Sequence, residues 1–145
     1  MTCKTTDQLR HEITHTTDIG DFLITNRQNL LTQDLSEYLS LLLSAKKLHK
    51  ADVVRDSLLD RVYLYQIFAG KRFPSRSKLI AIAFGLHLSL EETQKLLKIS
   101  ENRELYVRDE RDAVIFYALQ RGLDIFDTNE LLYERGLKLL GTSKK

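Results

Sequence analysis

The sequence predicts an all-α protein, and three observations carry that expectation. Apolar residues recur at the i, i+3, i+4 spacing of one helix face, and valine and isoleucine never alternate with polar residues over a strand length. The chain holds a single proline, Pro74, so little interrupts a helix. Short carboxylate and hydroxyl motifs with N-capping spacing stand ahead of several apolar runs. At 145 residues and 43% hydrophobic content, the chain has enough apolar material for one core.

The elements follow in order. Residues 1–17 are rich in threonine and weakly patterned, which predicts a mobile N-terminal tail. Ile19, Phe22, Leu23 and Asn26 predict an amphipathic helix over 18–29, weakened by Gly20. Asp34-Leu35-Ser36-Glu37 has capping-box spacing, and Leu35, Tyr38, Leu39, Leu42 and Leu43 continue as an apolar stripe to about Lys46. Lys50 to Ser57 reads as a short helix with Val53 and Val54 turned inward. Asp60 caps the next helix, which Gly70 stops in a left-handed conformation. Ser75 opens a helix through Leu79, Ile82, Ala83 and Leu86, and Ser89-Leu90-Glu91-Glu92 is a full capping box for another that ends near Ile99. Residues 101–106 read as a connector. The apolar run Ala113 to Leu119 lies in a helix of about 109–121, ended by Gly122. The spacing Asp127-Thr128-Asn129-Glu130 predicts the cap of a last helix before Gly136.

Charge is distributed unevenly. Residues 45–80 hold nine basic side chains (Lys46, Lys47, Lys50, Arg55, Arg61, Lys71, Arg72, Arg76 and Lys78) against three acidic ones, a net of +6. Residues 1–44 carry −3 and residues 81–145 carry −1. A basic middle between acidic flanks is the pattern expected of a surface that meets nucleic-acid phosphates.

Other classes find little support. The single cysteine, Cys3, allows no internal disulfide and fits a reducing, cytoplasmic setting. No apolar run approaches the roughly 20 residues of a membrane helix, and the polar first residues do not read as a signal peptide. His11 and His15 have a spacing that can share a metal on a helix, but no second pair stands near them, so neither metal nor cofactor is expected. There is no Ser/His/Asp order, glycine-rich phosphate loop or cysteine pair, and hence no catalytic residue to name and no small-molecule substrate. Asp109, Glu110 and Asp112 beside Arg108 and Arg111 read as a solvated first turn of a helix.

The segment that carries function is 60–72. On a helical wheel Tyr63, Leu64, Ile67 and Phe68 fall on one arc and are predicted core. Arg61, Val62, Tyr65, Gln66 and Ala69 fall on the other arc. Arg can bind guanine bidentately and Gln can bind adenine in the same way. Lys71 and Arg72, just past the helix, suit phosphates.

The stretch from Leu59 to Ser75, above all Tyr63-Leu64-Tyr65-Gln66-Ile67 and Gly70-Lys71-Arg72-Phe73-Pro74-Ser75, resembles the recognition helix and exit turn of the XRE, or lambda-repressor-like, helix-turn-helix family. The resemblance spans about Leu35 to Leu97. It implies a five-helix repressor-like domain with an extra N-terminal helix and two C-terminal helices. It also implies base contacts from Arg61, Val62 and Gln66, and phosphate contacts from Lys50, Tyr65, Lys71 and Arg72. Two positions depart from the family pattern: Val54 stands where alanine is usual, and Leu58 where glycine is usual. The expected organisation is a tail (1–17), a DNA-binding domain (18–100, helix-turn-helix about 50–69) and a C-terminal helical extension (101–145).

The expected function is sequence-specific binding of double-stranded DNA by a homodimeric transcriptional regulator. The apolar helix of 113–119 is the expected dimer contact. The competing expectation is a protein-interaction module on the same fold, such as an antitoxin-like or kinase-associated adaptor.

Overall fold

A computed structural model describes residues 6–15, 17, 19 and 35–141. Among these residues the structure is all-helical, with no strand. The helices are α1 (Thr6–His15), α2 (residues 35–45), α3 (Lys50–Ser57), α4 (Arg61–Phe68), α5 (Arg76–Gly85), α6 (Leu90–Ile99), α7 (Glu110–Gln120) and α8 (Ile125–Glu134). Apart from Ile19, which is exposed, the helix predicted over 18–29 lies outside the described residues, as does the Asp34 cap. Thr6–His15 is a helix where weak patterning predicts a tail, and none of its residues is buried.

The caps form where short polar side chains meet free amides. Asp60 Oδ2 accepts from the Tyr63 amide at 3.1 Å, and Ser75 Oγ from the Lys78 amide at 3.3 Å. Ser89 and Glu92 exchange both capping-box bonds, at 3.1 and 2.9 Å. The Asp127 cap is a misreading. The true cap is Asp124, whose Oδ1 accepts from the Asp127 amide at 2.8 Å, so α8 begins three residues earlier. Ile125 is buried in that first turn, which fixes the earlier start.

Helix α5 is the centre of the molecule. Its run from Leu79 to Gly85 is buried on all sides, and it touches α3, α6 and α8. A Cβ on Gly85 would stand 2.9 Å from both Val53 Cγ1 and the Val53 carbonyl. Only glycine therefore lets α3 and α5 cross this closely. Lys46 bonds Glu92 at 2.9 Å and ties α2 to α6.

Helices α7 and α8 join the same core through Ile115, Ala118, Leu119, Ile125 and Leu132. Asp112 is another correction. It reads as a solvated first-turn acid, yet it is 2% exposed. Arg76, the first residue of α5, grips it through Nη1 at 3.1 Å and Nη2 at 2.8 Å, and the Tyr106 amide donates at 3.0 Å. Burial pushes the Asp112 carboxyl up, but Arg76, the Tyr106 amide and Arg103 outweigh it and hold it below the usual carboxylate range.

The chain after α8 folds back as a strap. Asn129 donates to the Leu140 carbonyl at 3.0 Å and accepts from the Leu140 amide at 2.7 Å. Arg111 donates to the Lys138 carbonyl at 2.8 Å. This seats Gly141 (φ 75) against the turn between α3 and α4, where a Cβ would fall 2.2 Å from the Ser57 carbonyl.

Two outcomes check this account. Gly122→Ala meets only its positive φ, at a cost on the order of 1–2 kcal/mol. Gly141→Ala is expected to cost more, because the strap must also lift from Ser57; urea denaturation of both variants decides the order. Because the folded pKa of Asp112 lies below its unfolded value of about 3.9, its stabilisation is complete above about pH 4 and is lost as pH falls through the folded pKa. The stability gap between the parent and Asp112→Asn is therefore expected to hold constant from neutral pH to about 4 and to shrink below it.

Candidate nucleic-acid interface

Leu58 sits at φ 61, ψ 22, the left-handed conformation that ends α3 and turns the chain into α4. Its side chain packs, half-buried, against the core. The close approach of α3 to its neighbour is met by Gly85 and Ser57 rather than at Val54, which is half-buried.

Helix α4 presents the face that the wheel predicts. Leu64, Ile67 and Phe68 are buried, while Arg61, Val62, Tyr65 and Ala69 are exposed. Val62, at 62% exposure, stands near the middle of the outward arc. Gln66 is half-buried. Arg61 and Gln66 are about 140° apart around the helix, so they occupy opposite edges of that arc.

Tyr63 departs from the core expectation and is half-buried. Arg72 lies 5.1 Å and Lys78 5.0 Å from its ring centre. Burial pushes the Tyr63 phenol pKa up, and this outweighs the lowering effect of Arg72 and of a backbone hydrogen bond with Ser75. Tyr65 has the same kind of surroundings, with Lys50 at 5.4 Å and Arg61 at 5.8 Å. Two tyrosine rings on α4 thus gather four cations from three helices and one loop. Lys71 is exposed beside them, past the left-handed Gly70.

The electrostatics of this face are one-sided. Asp60 is occupied as the α4 cap, and Asp52 and Asp56 face Arg55 at 3.5 and 2.9 Å. Lys50, Arg61, Lys71, Arg72 and Lys78 form no ion pair with any described residue. By contrast Lys46, Arg55, Arg76, Arg103 and Arg135 are all paired. The face therefore offers donors, positive charge and aromatic surface, which suits a polyanion.

Lys50 and Arg61 thus gather at Tyr65, and Arg72 and Lys78 at Tyr63, two clusters on opposite flanks of α4 because residues two apart stand about 160° apart around a helix. Lys78 falls in the basic count, but only its place in the first turn of α5 brings it to Tyr63. His11 and His15 lie with ring centres 4.2 Å apart, their planes tilted by 37°. No cluster of three or more His, Cys, Asp or Glu able to hold a metal occurs among the described residues. No helix among them is long and apolar enough to cross a membrane.

No family model, curated protein or solved structure matches the chain.

The outward residues of α4 are expected to carry little of the fold's stability. Arg61→Ala and Val62→Ala should each shift thermal unfolding by less than the equivalent of about 0.5 kcal/mol, as surface changes do. Leu64→Ala, at full burial, should cost about 2–5 kcal/mol. Similar losses in all three would show that the exposed arc is a packing surface.

Proposed function

We propose that the protein is a cytoplasmic, sequence-specific DNA-binding regulator in which α3 and α4 act as a helix-turn-helix and α4 enters the major groove. One observation carries this reading: five cations that form no ion pair among the described residues flank α4, whose outward arc is exposed. The repressor-family resemblance supports it. So does the left-handed Leu58, which occupies the position where that family uses glycine.

In this reading the residues divide by reach. Arg61, in the first turn of α4, meets a base edge, and guanine is its natural partner. Val62 contacts a thymine methyl, and Gln66 meets adenine from the other edge of the arc. Lys50, Lys71 and Arg72 meet phosphates, and Tyr65 lies along the sugar-phosphate backbone. Lys78 joins them from the first turn of α5.

Random-site selection on duplex DNA at stated salt is the direct test. Lys50→Ala, Lys71→Ala and Arg72→Ala should weaken binding to all sequences alike and lower the salt slope by about one each. Arg61→Ala should cost about 1–3 kcal/mol on the selected site and relax preference at one guanine. Gln66→Ala should relax a different position. No enriched site and no salt-dependent affinity would refute the reading in favour of a protein-interaction module.

A further inference from the structure

The apolar helix α7 is buried on more than one side within its own chain, yet it keeps one face in the open. Ile115 and Ala118 lie fully in the core. Glu110, Val114, Tyr117 and Arg121 follow at four, three and four residues, so they form a single stripe within about 60° of arc. Tyr117 is 45% exposed although it belongs to an apolar run. Beside the stripe a groove of about 420 Å³ opens between α7 and α8, lined by Glu110, Ala113, Val114, Tyr117, Leu131 and Arg135.

The charges at the stripe's ends identify the occupant. Glu110 stands at one end and Arg121 at the other, about 16 Å away along the axis. Neither has an ion-pair partner among the described residues. Arg121 lies over the Tyr117 ring at 4.2 Å. The stripe is its own complement when reversed: acid, aliphatic, aromatic and base read against base, aromatic, aliphatic and acid. A two-fold axis produces that reversal, because residue i then meets j and j meets i. A partner of a single charge sign would satisfy only one end.

We propose that α7 is the contact of a symmetric homodimer, packed antiparallel against α7 of a second copy. Each Tyr117 fills the other copy's α7–α8 groove, and Glu110 pairs with the partner's Arg121, twice. The contact is confined to one stripe and one groove, which places it at the low end of specific interface sizes. The proposal stands whether or not α4 binds DNA.

Sedimentation velocity of the full chain across the micromolar range tests it. The parent should pass from monomer to dimer. Glu110→Arg and Arg121→Glu should each weaken association by about tenfold or more, because each places like charges opposite one another twice. The double swap should restore it. An equimolar mixture of the two single variants should form heterodimers, since their charges match again. Tyr117→Glu should give a monomer with unchanged helical circular dichroism, as the side chain lies outside the core. A monomeric parent, or single swaps that dimerise as the parent does, overturns the proposal. Single swaps that dissociate without rescue by the double swap overturn the antiparallel register.

Discussion

The pairing of Arg76 with Asp112 is the interaction on which the arrangement of the two halves depends. Arg76 opens α5, the helix around which the core is built, and Asp112 lies in the first turn of α7. The same guanidinium donates to the carbonyls of Arg103 at 2.8 Å and Glu104 at 3.1 Å, so it also fixes the connector before α7. Gln94 completes that fixing by accepting from the Leu105 amide at 2.7 Å. Both charges are largely withdrawn from water. Removing Arg76 would leave Asp112 buried with only the longer Arg103 contact and the Tyr106 amide, and breaking such a pair costs more than the pair itself contributes. The C-terminal helices are therefore bound to the start of α5, two residues from Lys78.

Two backbone constraints then set where α4 points. Gly85 lets α3 lie close on α5, and Leu58 turns the chain from α3 into α4 in a left-handed conformation. The strap after α8 reaches this turn as well, through Gly141 at the Ser57 carbonyl. A segment near the C-terminus thus supports the elbow from which α4 departs. The C-terminal helices are continuous with the core and help to hold the candidate interface in place.

Much of this is legible in the sequence, and the misses share a cause. Helix starts announce themselves through local chemistry, as at Asp60, Ser75 and Ser89, where a side chain reaches an amide three residues on. The Asp127 error arose because two acids three residues apart both have cap spacing, and only the burial of Ile125 separates them. Helix ends are harder to see. Lys47, Leu58, His87 and Glu101 all take positive φ without being glycine, so the usual stop signal is missing. Asp112 could not be recognised from its neighbours, since Arg76 is 36 residues away in sequence. The outward arc of α4 is readable from periodicity alone, but the grouping of Lys50, Arg72 and Lys78 around its tyrosines is tertiary.

The partition of the basic residues has a physical logic. Arg76 and Lys46 spend their charge on internal partners, where partial burial shields the pair from salt. The cations around α4 have aromatic neighbours instead. A tyrosine face attracts a cation without neutralising it, so Lys50, Arg61, Arg72 and Lys78 are steadied while their charge and N–H donors stay available. Carboxylate partners would hold them equally well and would have to be displaced by any phosphate. An aromatic scaffold under unpaired cations is thus suited to an anionic partner that arrives and leaves, and to binding that weakens as salt rises.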